Sequence, residues 1–154
     1  IVVNIGICGA SRAFSIGELY YVNKINDSVF DRTTEGYEIE LYDNDCKMII
    51  NNNQYSVSKG SVVLTKPYDH RVNNTFYSCN AIHFTTEEQS IIEFIDRMPT
   101  VINVYDYNFH INYFKEVYRH YASIDKMYVD FYLASDVMRY LCFLKNESKR
   151  NKKT

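Results

Sequence analysis

Between Leu19 and Phe84 apolar side chains recur at about every second position, and turn residues interrupt the pattern every eight to twelve or so residues. A chain patterned in this way forms short half-buried strands, and strands so spaced pack as an antiparallel sandwich or barrel. Tyr37, Ile39 and Leu41 alternate with Glu38, Glu40 and Tyr42, which predicts one apolar face and one face presenting carboxylates to water. Asp43-Asn44-Asp45 tolerates left-handed geometry and predicts a hairpin into a strand from Cys46 to Ile50. Asn51-Asn52-Asn53 repeats the device before a strand from Gln54 to Val57. Gly60 can take positive φ in the turn Ser58-Lys59-Gly60, a further strand runs from Ser61 to Thr65 and stops at Pro67, and the last spans Phe76 to Phe84.

Beyond Phe84 the period moves towards 3.6. Thr86, Glu87, Glu88 and Gln89 open a helix over Ser90 to Arg97 that Pro99 closes, and Val101 to Val104 is extended. A helix is predicted over Ile111 to Tyr121 and a longer one over Lys126 to Lys145. The longer one carries two apolar stripes, Met127, Phe131, Ala134, Met138 and Leu141 on one and Val129, Leu133, Val137, Tyr140 and Leu144 on the other. One stripe can cover the β region and leave the second for a partner, or both can be buried within one chain. We take the second stripe as the dimer contact. Asn146 to Thr154 is polar and basic and reads as a solvated linker or tail.

With 154 residues the chain suits one domain with an appendage. A formal charge of −2 removes the electrostatic footprint of phosphate-backbone binding, so this chain by itself is not expected to hold DNA. Cys8, Cys46, Cys79 and Cys142 show no CxxC pair, as in a reduced cytoplasmic protein. No apolar run is long enough for a membrane span, and Ile1 to Ala10 lacks the features of a signal peptide. Starting at Ile1 suggests that an initiator or longer N-terminus has been removed. Gly6-Ile7-Cys8-Gly9 lacks the context of a phosphate loop and reads as a loop or weak edge strand.

Tyr37-Glu38-Ile39, then Gln54-Tyr55-Ser56-Val57, Lys59-Gly60-Ser61-Val62-Val63-Leu64, Pro67, His70 and Ala81-Ile82-His83-Phe84 together resemble the sensor half of AraC/XylS-type transcription regulators. The resemblance departs from the family pattern at Asp43-Asn44-Asp45, where a glycine is usual, and the helix-turn-helix half is missing. It implies a mainly β fold with C-terminal α: a cupin-like barrel, a double-stranded β-helix or jelly roll, followed by two or three helices. Residues 1–110 would form the sensor barrel with a short helical segment, residues 111–146 the helical dimerisation region and residues 147–154 a linker. It further implies a small-molecule effector such as a sugar or another small metabolite, a homodimer, and DNA contact only through a domain not present in this chain.

The 15 tyrosines and 9 phenylalanines either line a cavity for such an effector or simply fill the core. Strand parity nominates Tyr37, Ile39, Met48, Tyr55, Val62 and Leu64 as inward-facing, with His70 and His83 supplying polarity. Metal-using cupins need early histidines, but Phe30 to Leu41 offers Asp31, Glu35, Glu38 and Glu40 and no histidine, so no metal and no cofactor are expected. No nucleophile stands beside a base at local spacing, and His110 and His120 read as helix-end or surface residues, so catalysis is not expected. The rivals are a metal-dependent cupin enzyme, using His70 with carboxylates and His83, and a stand-alone binding module.

Overall fold

The computed structural model describes residues 3–4, 30–73, 77–123 and 126–152, with the backbone course alone at 3–4, 30, 123 and 126–130. The glycine-rich Gly6-Ile7-Cys8-Gly9 segment and the start of the period-two region at Leu19 lie outside these residues. Nine strands are described: β1 (Val3–Asn4), β2 (Phe30–Thr33), β3 (Tyr37–Tyr42), β4 (Cys46–Ile50), β5 (Asn53–Val57), β6 (Ser61–Thr65), β7 (His70–Asn73), β8 (Cys79–Thr86) and β9 (Val101–Asn103). Three helices accompany them: α1 (Gln89–Asp96), α2 (Tyr107–Ser123) and α3 (Lys126–Asn151).

The strands form two antiparallel sheets, one in the order β1-β8-β3-β6-β9 and one in the order β2-β7-β4-β5. The chain passes from sheet to sheet between β2 and β3, β3 and β4, β5 and β6, β6 and β7, and β7 and β8. Asp43-Asn44-Asp45 is therefore not a hairpin. It carries the chain round a corner, because β3 pairs with β6 and β8 while β4 pairs with β5 and β7. Its side chains fix that corner across strands: Asp45 Oδ1 accepts the Lys59 amide at 2.8 Å and Asn44 Oδ1 accepts the Ser78 amide at 2.7 Å. Asn51 and Asn52, at φ 49° and 68°, do make the expected hairpin turn, which is two residues long because Asn53 already belongs to β5, and Gly60 sits at φ 84°. The sheets stack as a sandwich, and no ladder between the described strands closes them into a barrel.

Three layers result. The four-stranded sheet turns one face to solvent, whereas β3 and β6 of the five-stranded sheet are buried along their whole length. One face of that sheet meets the other sheet; the opposite face meets the helices, through Tyr37, Ile39, Leu41, Val62, Leu64, Ile82 and Phe84 packed with Ile95, Phe114 and Val117. The helical partner in this core includes Leu133, Val137, Tyr140 and Leu144, each at most 2% exposed. Burying such side chains is worth roughly 1.5–3 kcal/mol each, so the sheet claims this stripe within one chain. The assignment of Leu133, Val137, Tyr140 and Leu144 to a dimer interface is accordingly corrected; the side chain of Val129 lies outside the described residues. The face left open carries Phe131, 76% exposed.

Asp106 caps α2 by accepting the Phe109 amide at 3.2 Å. The segment beyond residue 146 is not a free tail. α3 runs on to Asn151, Glu147 and Ser148 are buried, and the Asn151 side chain both donates to Asn103 O and accepts from Asn103 N, each at 3.0 Å.

Between β6 and β7, Lys66 O accepts the Asp69 amide at 3.2 Å around Pro67 and Tyr68, a turn whose third position needs φ > 0. Tyr68 fills that position at φ 69° with its side chain 84% exposed, held there as its amide donates to Thr34 O at 2.9 Å. A non-glycine residue in this region costs about 1–2 kcal/mol, and glycine costs about 0.5–1 kcal/mol in chain entropy. Tyr68→Gly is expected to raise stability by about 0.5–1 kcal/mol, read as a higher urea midpoint at unchanged slope.

Candidate functional site

Alternation in β3 sends Glu38, Glu40 and Tyr42 into the space between the sheets, the reverse of the solvent face that the sequence predicts. What makes this tolerable comes from the opposite sheet. Arg71 on β7 is 1% exposed, and its guanidinium donates to Glu38 Oε2 at 2.8 Å, to both Glu40 oxygens, and to Tyr42 Oη at 3.1 Å. Arg32 on β2 donates both terminal nitrogens to Glu38 at 2.5 Å. Glu40 Oε2 also accepts from Tyr42 Oη at 2.8 Å and from the Cys79 thiol at 3.3 Å. Two guanidiniums thus balance two carboxylates in a setting where one unmatched ion would cost several kcal/mol.

The electrostatics follow from this pairing. Burial pushes the Glu40 carboxyl upward, but Arg71, by charge and hydrogen bond and with Arg32 behind it, brings it down to about 2. Burial pushes the Cys46 thiol up to about 12, Glu40 adding to the effect. His83, with Nδ1 3.6 Å from Glu38 Oε1, is shifted below its ordinary value because burial outweighs the attraction of Glu38 and Glu40.

One part of the centre is left open to further bonding. Arg71 Nε, and both side-chain atoms of Asn73 two residues on along the same face of β7, are buried without a hydrogen-bond partner. Met48, Tyr55, Val57, Cys46 and Tyr77 make the apolar surroundings. A groove of about 540 Å³ at the β4–β5 edge has Cys46 and Val57 in its wall, so it touches this interior cluster from outside.

Of the nominated residues, Met48 and Tyr55 do pack in the interior cluster, and His83 adjoins the polar centre. Tyr37, Ile39, Val62 and Leu64 do not line it: they face the helices, because a sheet buried on both sides has no solvent face to orient the parity argument. His70 points outward and pairs with Asp31 at 2.6 Å, apart from His83. Among the described residues no three metal-ligating side chains converge. Arg71, Arg32 and Asn73 are absent from the sequence nominations. Their trace is an arginine in each of two short strands, opposite in charge to Glu38 and Glu40, with a neutral asparagine two residues after the second.

Polar contacts also tie the helices. His110, 1% exposed, meets Tyr140 Oη at 2.7 Å and Glu147 at 3.4 Å, while His120 bridges Asp136 at 2.6 Å and Glu116 at 3.2 Å. Neither histidine is a plain surface residue. Burial shifts His110 downward against the pull of Glu147. With the folded pKa of His83 and His110 below the ordinary 6.5, the folded chain holds fewer protons than the unfolded chain once the pH falls past that value. Their contribution is therefore full above 6.5 and is lost on acidification. Glu40, ionised down to about 2, changes nothing in that window. The urea midpoint is expected to stay level between about pH 8 and 7 and to fall between about pH 6.5 and 5.

No protein-family model matches the chain, and no curated protein matches it. Solved structures overlap it loosely. A plu4264 protein from Photorhabdus luminescens is 20% identical over 46% of this chain and 62% of its own, at a TM-score of 0.32. ToxT from Vibrio cholerae O395, bound to (E)-4-(8-methylnaphthalen-1-yl)but-3-enoic acid, is 14% identical over 80% of this chain and 56% of its own, at 0.39. ToxT from Vibrio cholerae in its P21 form is 12% identical over 79% and 56%, at 0.38. The chain spans 56% to 62% of the length of these structures, and overlaps this loose assign no family. No described helix is long and apolar enough to cross a membrane.

Proposed function

We propose that the chain is the effector-sensing module of an AraC-type transcription regulator, in which a small molecule binds between the two sheets beside Arg71, and DNA is bound by a domain outside this chain. One observation carries this reading: a charge-balanced centre, buried at Glu38, Glu40, Arg71 and Asn73 with Arg32 at its half-buried rim, in which the Asn73 amide and Arg71 Nε have no partner. Buried polar groups are nearly always satisfied, by the protein, by ordered water or by a bound molecule, and a donor and an acceptor without protein partners inside a fold offer a ligand hydrogen bonds to complete. Binding that favours one arrangement of the sandwich over another would then be felt by the helices packed on the other face of β3.

The chemistry favours binding over catalysis. Glu40 held at about 2 is a poor base, and the Cys46 thiol pushed up to about 12 is a poor nucleophile. A thermal-shift screen of small metabolites tests the reading. Expected is at least one compound that raises the melting midpoint of the wild-type chain and loses the effect in Asn73→Leu; compounds acting equally on both, or no active compound, count against it.

The homodimer is assigned to the face of α3 opposite the core, around Phe131, Met138 and Cys142. Phe131→Asp is expected to leave the melting midpoint within a few degrees of wild type while lowering the dimer fraction in sedimentation velocity at least tenfold in association constant, about 1.4 kcal/mol. A dimer that persists unchanged places the contact elsewhere.

A further inference from the structure

The geometry points to a neutral ligand for this centre, one presenting a hydrogen-bond donor and an acceptor side by side, such as a carboxamide or a pair of neighbouring hydroxyls, and not a carboxylate or an amine. The inference rests on the sensing reading and narrows it to a chemical class.

Charge decides first. The centre already holds Arg32 and Arg71 against Glu38 and Glu40, and the pairings use both oxygens of each carboxylate and both terminal nitrogens of each guanidinium. A ligand carboxylate would enter as a fifth charge without a counter-ion. It could displace Glu38 or Glu40 from Arg71 only by stranding that side chain in the interior, since both are under 5% exposed. An amine meets the mirror problem, because no carboxylate in the cluster is unpaired. The neutral group able to supply compensation is His83, which faces Glu38, with Glu40, Arg32 and Arg71 close enough to act on it. A bound anion would therefore have to bring a proton on to His83, and its affinity would rise as the pH falls.

Hydrogen-bond type decides second. The Asn73 amide offers a donor and an acceptor from one planar group, and Arg71 Nε offers a further donor on the same face of the strand. The complement is a group with an acceptor beside a donor. Carboxamides and vicinal hydroxyls have that pair; a carboxylate has acceptors alone and would leave the Asn73 oxygen unmatched. The Met48 thioether, 3.9 Å from Arg71 Nη2, and the Tyr77 and Tyr55 rings suit an apolar remainder to the same molecule.

The experiment compares two sets of compounds by thermal shift at pH 7.5 and pH 6: neutral ones (D-ribose, D-xylose, myo-inositol, nicotinamide) and acids (benzoate, octanoate, citrate). Expected is a rise of about 5 °C or more at saturating concentration with at least one neutral compound, the same at both pH values and absent in Asn73→Leu. Should Asn73→Leu fail to fold, Asn73→Ser, which removes the paired donor and acceptor, is read in its place. A neutral compound that acts equally on the Asn73 variants overturns the assignment. An acid that stabilises the wild type, more at pH 6 than at pH 7.5, and fails in His83→Gln overturns the neutral class while leaving the interior site standing. Silence from both sets overturns the inference together with the sensing reading.

Discussion

Arg71→Met should lower stability by about 3–5 kcal/mol, the loss seen when one partner is removed from a buried ion pair. The guanidinium bonds to Glu38, Glu40 and Tyr42. Without it Glu38 keeps Arg32, but Glu40 retains only the Tyr42 hydroxyl and the Cys79 thiol. That carboxyl, now held at about 2, must then take up a proton or remain a charge in an apolar interior. The defect has a pH signature opposite to that of the wild type: once the Glu40 pKa in the fold exceeds its unfolded value, acidification relieves the variant. Adding Glu40→Leu removes the stranded charge and is expected to recover more than half of the loss, since matched apolar replacements of a buried pair are often nearly neutral. Urea titrations of the two single variants and the double measure the coupling. A double variant no more stable than Arg71→Met would show that the two side chains do not act as a pair.

Val137→Asp is expected to abolish the fold. Val137 is 1% exposed in the core shared by the helices and the five-stranded sheet. An aspartate there loses the transfer energy of the valine and buries an unpaired carboxylate, together on the order of 5 kcal/mol or more, comparable to the whole stability of many domains. Circular dichroism and urea titration read the outcome directly. The comparison with Phe131→Asp, six residues earlier on the exposed face of α3, isolates burial from any effect of an acid in this helix. Should Val137→Asp remain folded and turn monomeric, the stripe would be an interface and not core.

β3, β4, β5, β6, β8 and β9 were legible in the sequence because turn chemistry and period two act locally, whereas the four-residue strands β2 and β7 were not. Asn51-Asn52 and Gly60 take up the left-handed conformations their residue types allow. What the pattern could not carry was which side of β3 faces the other sheet. Glu38 and Glu40 looked like water-facing residues, and their burial depends on Arg32 and Arg71 from strands paired with each other but not with β3. The same limit applies to Asp43-Asn44-Asp45, where a turn was visible but the identity of the next strand's partner was not. For α3 helical periodicity separates the two stripes except at Leu141, which the pattern groups with Phe131 and Met138 but which is 2% exposed and packs in the same core as Leu133 and Val137. Only the sheet's outer face decided between them, by offering Ile39, Leu64 and Phe84 to the stripe of Leu133 and Val137. Arg71 and Asn73 carry no pattern signal because β7 is four residues long, too short for its alternation to stand out.

The end of α3 closes one border of the five-stranded sheet. A strand at such a border presents unpaired amides and carbonyls on which another chain can grow as an added strand. β9 occupies that position, and the Asn151 amide meets Asn103 N and O as a neighbouring strand's backbone would, while Glu147 takes the Tyr105 amide just beyond. The last turns of the helix thus act as a stopper against edge-to-edge growth. Shortening the chain to residue 146 would take away little of the apolar core yet uncover this border, so aggregation would exceed anything the lost burial accounts for.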